Sequence, residues 1–167
     1  MYCISATIAH TLHVIIHDLT HYSGHPDKNV NRIVAIICNV VIGIPSAMSF
    51  GKHHADHHNF LGEKSKDPDL PLDVEAQWIK KNPLNKLLFW FFLTIVYGAR
   101  PMLFYDTKIT KLEFLNLFVV VITDLLILKY WGINALAYII LCAFFSIGPH
   151  PTAIHVLAEH YEFLEGL

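Results

Sequence analysis

The sequence predicts an all-α integral membrane protein, and three observations predict it. Apolar residues make up 54% of the 167-residue chain and charged residues only 16%, against roughly 25% charged in ordinary soluble domains. Long apolar stretches recur, with few polar interruptions. The chain also contains twelve histidines, and eleven fall into three clusters beside strongly apolar sequence: His10/His13/His17/His21, His53/His54/His57/His58 and His150/His155/His160. Unsatisfied polar groups are costly next to hydrocarbon, and imidazole is the commonest metal ligand among side chains. The clusters therefore predict a multi-histidine metal site at a bilayer surface.

Residues 2–21 read as a helix in which His10, His13, His17 and His21 occupy one stripe, being spaced three, four and four apart. Ser23-Gly24-His25-Pro26-Asp27 breaks it. Residues 33–50 are apolar but short, and Gly43 and Pro45 interrupt them, which predicts a buried or interfacial helix. Residues 51–86 read as a polar cytosolic loop carrying the second cluster and the run Asp67-Pro68-Asp69-Leu70-Pro71-Leu72-Asp73, whose carboxylates are expected to be solvated groups with turn chemistry. Residues 87–105 are apolar and aromatic, but Gly98, Arg100 and Pro101 disrupt the far end, so they read as an interfacial helix. Two cleaner spans follow at about 114–128 and 133–149, joined by Lys129-Tyr130-Trp131-Gly132. A cytosolic segment, 150–167, completes a single domain over 1–167.

Basic residues give the topology. Eleven of the twelve lie between Lys28 and Lys111, and Lys129 sits in the turn between the last two spans. The positive-inside rule places 28–111 in the cytosol and the 129–132 turn on the opposite side. Two crossings then return the chain to the cytosol near His150, so all three clusters share one face.

Ligand spacing is regular. His17 and His21 are i,i+4, and His54, His57 and His58 are i,i+3,i+4. His53 and His57 are also i,i+4, so spacing leaves open which of His53 and His54 is the ligand. His155 and Glu159 share a helix face, whereas His160 lies about 140° round from His155. One zinc ion is satisfied by four ligands. Two from the first cluster, three from the second and one or two from the third exceed that, so a pair of ions fits better, and a nitrogen-rich set with some oxygen is compatible with iron. Plainer readings stand beside these. His10 and His13 read as packed helix residues, His25 as a turn residue, His150 as structural before Pro151, and His53 as a neighbour or a group orienting a ligand. Asp124, inside a span, is either a substrate or proton contact or a carboxylate that snorkels or pairs. Cys3, Cys38 and Cys142 have no CxxC spacing and read as small buried hydrophobes. A net charge of -2 gives no case for a nucleic-acid partner.

His17-Asp18-Leu19-Thr20-His21 resembles the HxxxH first box of the membrane fatty-acyl desaturases, and His54-Ala55-Asp56-His57-His58 resembles their HxxHH second box. Gly43-Ile44-Pro45-Ser46, Ser49-Phe50, Asn59-Phe60-Leu61-Gly62, Asp69-Leu70-Pro71, Arg100-Pro101, and His150-Pro151 through Ala158-Glu159-His160-Tyr161 are similar to the sphingolipid delta-4 (dihydroceramide) desaturase branch, over nearly the whole chain. Asp18 stands where that family typically has Glu. Family members also carry an earlier cytosolic segment and span and a later third HxxHH box. The resemblance thus implies a chain incomplete at both ends, whose short ligand set does not support activity alone.

What the resemblance implies is a multi-pass enzyme of the endoplasmic reticulum membrane with a di-iron site at the cytosolic face. It would use O2 and electrons relayed by cytochrome b5 to remove two hydrogens from the sphingoid chain of dihydroceramide, giving ceramide. His17, His21, His54, His57 and His58 carry over as iron ligands, and His155, Glu159 and His160 fall in a matching segment. A C4-hydroxylase on the same scaffold and a catalytically inactive membrane fragment are the alternative readings.

Overall fold

The computed structural model describes residues 1–105 and 108–153, and these are helical with no strand among them. A π-helical turn, Tyr2–Ala6, leads into α1 (Thr7–Thr20). The turn after α1 is organised by Asn31, which is 1% exposed. Its side-chain oxygen accepts from the N–H groups of Gly24 and His25, and its amide donates to the carbonyls of His25 and Asp27. Asp27 caps α2 (Lys28–Ile42) by accepting from Asn29 N–H at 2.8 Å, satisfying a helix-start donor.

Where one helix is expected over 33–50, the chain forms two. Gly43 adopts φ 73°, a left-handed helix terminus that costs glycine nothing, and Pro45 follows. α3 (Ala47–Asn59) then departs at 118° to α2. Its first turn is capped from outside. Asn39 accepts from the N–H groups of Ser46 and Ala47, Asn116 accepts from Met48 N–H at 3.2 Å, and Asn116 donates to Asn39 at 2.9 Å. Both asparagines are essentially fully buried. This cap fixes the start of a helix through a polar sequence expected to be loop, so the second histidine cluster sits on regular backbone.

Irregular chain over 60–72 leads to α4 (Asp73–Lys80), α5 (Pro83–Phe91) and α6 (Leu93–Phe104), with a 74° bend between α5 and α6. α7 (Lys111–Trp131) opens with a reciprocal Thr110/Glu113 cap and ends at Gly132, before α8 (Ile133–Ile147). α1 packs on α2, α3 and α8, and α7 on α2, α3 and α8. The core between them is Ile16, Leu19, Ala35, Ile42, Ala47 and Ala143. Among the described residues no single helix is long and apolar enough to cross a membrane, whereas α2 with α3 and α5 with α6 reach that length and composition as bent pairs.

Candidate metal centre

The last turn of α1 and the middle of α3 meet at Gly51, where an added Cβ would lie 3.2 Å from Thr20 Cγ2. That close approach brings the two best-spaced histidine groups face to face. His17, His21 and His54 place their ligand atoms within 4.8 Å of one another. His54 Nε2 lies 3.0 Å from His21 Nε2 and 3.0 Å from His58 Nε2. His17 stacks edge-on to His54 with ring centroids 4.5 Å apart. A cleft of about 350 Å³, lined by Thr20, His21, Gly51, His54, Ala55, His58 and Asn59, opens beside them.

The donor set fits a transition-metal ion. Two ring nitrogens, each about 2.1 Å from one ion, are separated by roughly 3.0–3.4 Å for tetrahedral or octahedral angles. A shared proton could bridge His54 Nε2 to one neighbouring nitrogen but not to both, whereas a cation accepts all three lone pairs. Burial, and then the neighbouring His17, His58 and His21, push the His54 pKa down to about 3. Its imidazole is therefore neutral near pH 7, the form that ligates. His54 is held by packing, its ring stacked on Phe50 at 5.1 Å. Its Nδ1 is buried with no hydrogen-bond partner among the described residues.

His57 is anchored differently. Its Nδ1 lies 2.8 Å from Asp67 Oδ1 and 3.7 Å from Asp69 Oδ2. Its ring centroid is 5.9 Å from that of His54 and 5.5 Å from that of His58. The expectation of solvated carboxylates in the Asp67–Asp73 run is corrected here, because Asp67 is 0% exposed. It turns inward because donors surround it: Asp67 Oδ2 accepts from Gly62 N–H, and Oδ1 accepts from Asp69 N–H. α6 grips the same loop. Arg100, 3% exposed, donates to the carbonyls of Pro68 and Asp69 and pairs with Glu75 at 3.0 Å. Tyr105 donates to the Asp67 carbonyl at 2.7 Å, and burial, then the nearby Asp69 carboxylate, raises the Tyr97 pKa. Only Asp73 keeps the solvated character expected of the run, pairing on the surface with Lys64.

The remaining candidates lie elsewhere. His53 is buried but outside the converging group. Burial and then Lys52 lower its pKa, while Asp56, Glu113 and Asp69 act in the opposite direction. His10 and His13 join α1 to α8 through Ser146, His10 Nδ1 lying 2.9 Å from the Ser146 carbonyl oxygen. His150 ties the end of α8 to the Tyr2 carbonyl. His25 accepts from Asp27 N–H in its turn. Asp124 Oδ1 is buried without a hydrogen-bond partner among the described residues. His155, Glu159 and His160 lie outside the described residues. Sequence reasoning missed Asp67, Tyr97 and Tyr105 as parts of the site. The one available signal was the pair of prolines, Pro68 and Pro71, which marks the 67–73 run as a bend.

Comparison with known proteins bears on this geometry. The chain is 35% identical over 167 residues to human sphingolipid delta(4)-desaturase/C4-monooxygenase, an alignment covering 99% of this chain and 51% of that protein. It is 36% identical to a putative sphingolipid delta(4)-desaturase/C4-monooxygenase of Caenorhabditis elegans, over 98% of this chain and 46% of the relative. To the sphingolipid delta(4)-desaturase of Komagataella phaffii it is 36% identical, over 96% and 44%. The chain thus spans about half the length of the curated relatives it matches. No solved structure matches it. The family model described as fatty acid desaturase matches residues 1–165, so the paired histidine boxes on α1 and α3 are those of a chain that belongs to the fatty acid desaturase family.

Proposed function

We propose that this chain forms the first two histidine boxes of a sphingolipid delta(4)-desaturase, which converts dihydroceramide to ceramide with O2 at a di-iron centre. The observation that carries the reading is the convergence of His17, His21, His54 and His58 nitrogens, from two helices, around the buried His54 Nε2. His57, on the same helix, is the fifth proposed ligand, and His155, Glu159 and His160 would supply further donors. When bound, the metal pair supplies oxidising power toward an unactivated C–H bond, which no side chain here possesses. The protein's part is to hold the imidazoles in place, with the Phe50 ring stacked on that of the buried His54. Electrons would come from cytochrome b5.

The membrane reading rests on the family and on what the helices leave uncovered. α7 exposes Phe114 at 64%, Phe118 at 56% and Leu125 at 55%, more apolar surface than a soluble monomer tolerates. The α7–α8 hairpin is proposed to enter the endoplasmic reticulum bilayer, with the histidine boxes at its cytosolic border.

A C4-hydroxylase is the second reading, because several relatives bear both activities in their names. The two differ in product: a trans double bond or an added hydroxyl on the sphingoid chain. Expressing these residues within a desaturase of the relatives' full length, in cells lacking dihydroceramide desaturase and with mass spectrometry of sphingolipids, tests both, the 167 residues alone being expected to give neither product. Ceramide is the expected product. A 4-hydroxylated product establishes the alternative, and neither product from the membrane-inserted full-length protein sinks both readings.

A further inference from the structure

Among the histidines of the second box, His57 has a fully buried carboxylate on its far ring nitrogen. Asp67 is ten residues downstream, on a loop that regular secondary structure does not hold, yet it is 0% exposed and 2.8 Å from His57 Nδ1. Backbone donors already occupy both of its oxygens, Gly62 N–H on Oδ2 and Asp69 N–H on Oδ1, each at 3.0 Å. A carboxylate so placed acts as an acceptor, so the proton in the His57 contact sits on Nδ1. In that tautomer the ring's lone pair is on Nε2.

We propose that Asp67 is the positioning residue of this centre: it fixes the Nδ1–H tautomer and ring orientation of His57 so that Nε2 is the metal-binding atom. A carboxylate behind a ligating imidazole locks the tautomer and raises ligand basicity. The loop is built to keep it there. Tyr105 holds the Asp67 carbonyl, Arg100 holds the carbonyls of Pro68 and Asp69, and Glu75 holds Arg100 in turn. α6 and α4, which contribute no histidine, thereby act on the second box through Asp67. Substituting Asn would not be neutral. All three groups facing the carboxylate donate hydrogen bonds, so either orientation of the amide points an N–H₂ at a donor.

The inference rests on the metal-site reading above, and its test separates the two. In the metal-free protein in detergent, ¹⁵N-histidine NMR reads the His57 tautomer. Nδ1–H is expected in the wild type, and finding Nε2–H there overturns the proposal without any variant. Fe(II) binding is then titrated on the wild type, Asp67→Asn, Asp67→Glu and, as a control on the same loop, the exposed Asp73→Asn. Asp67→Asn should weaken binding about 10–100-fold and mix the His57 tautomers, while circular dichroism stays that of the wild type. Asp67→Glu should recover part of the affinity, and Asp73→Asn should match the wild type. Equal Fe(II) affinity in the wild type and Asp67→Asn refutes the role of Asp67. Absence of Fe(II) binding in the wild type, with the Nδ1–H tautomer intact, refutes the metal site instead.

Discussion

His53 and His54 are adjacent on α3, similarly buried at 7% and 3% exposure, and each is spaced to pair with His57 or His58. The hundred-degree step between them on the helix gives them different surroundings. His54 faces His17, His21 and His58, whereas His53 sits among Lys52, Asp56, Glu113 and Asp69. His54→Ala is therefore expected to abolish tight Fe(II) binding. His53→Ala should keep Fe(II) binding and lose only about 1–3 kcal/mol of stability through the vacated volume; metal titration with thermal unfolding of both variants checks this. In the desaturase proposed above, His57→Ala should abolish turnover without removing the protein from the membrane, read by activity and fractionation of the same cells. The boxes were legible because ligand spacing on a helix is a local property of sequence. Asp67 was not, because turn propensity states that residues 67–73 bend and says nothing about which side of the bend meets protein. Its inward orientation follows from Gly62, Arg100 and Tyr105, up to 38 residues away.

The elements show the same division between local and distant causes. Asp27, Gly43 and Thr110 punctuate helices by their own chemistry, and the cap at Asp27 and the break at Gly43 are where such residues place them. The start of α3 is another matter, since Asn116 reaches it from 68 residues away. Hydropathy weighed the polarity of 51–59 and favoured loop; the buried Asn39–Asn116 pair supplies the first-turn acceptors that make it helix. Asn116→Leu removes the acceptor of the part-buried Met48 N–H and should destabilise the fold by about 1–3 kcal/mol. Thermal unfolding in detergent measures the loss, and a Fe(II) affinity reduced along with it would show that the cap also sets the pose of the second box. The start of α7 has a pH signature. Burial raises the Glu113 pKa, but hydrogen bonds from Thr110 and the charge of Lys52 outweigh it and leave the carboxyl below its ordinary 4.5. A folded-state pKa below the unfolded value stabilises the fold above the unfolded pKa, and the contribution disappears as pH falls through the folded one. Glu113→Gln should thus lower the melting temperature at pH 7, with the gap to the wild type closing in acid below the ordinary glutamate range.

At the scale of the molecule, the candidate metal centre and the apolar surface lie on different parts of one helical assembly. The α1–α3 junction carries the histidines, and Lys52 on α3 donates to the Lys108 carbonyl just before α7. From there α7 runs 21 residues, about 31 Å at helical rise, with its apolar stretch confined to about 114–128, so that α7 does not by itself meet the length and composition of a span. At its far end Tyr130 and Trp131 are 65% and 70% exposed, and Lys129 lies 5.2 Å over the Tyr130 ring. Amphipathic aromatics beside a lysine are what the headgroup layer accommodates. The histidine boxes and the 129–132 turn are accordingly expected on opposite faces of the membrane. Single cysteines at Lys64 and Lys129, introduced after Cys3, Cys38 and Cys142 are replaced by alanine, test this with a membrane-impermeant maleimide on sealed microsomes. Lys64→Cys should be labelled from the cytosolic side at once, and Lys129→Cys only after the membrane is opened. Labelling of both from outside would place the turn beside the boxes, and the α7–α8 hairpin would then lie along the bilayer surface instead of crossing it.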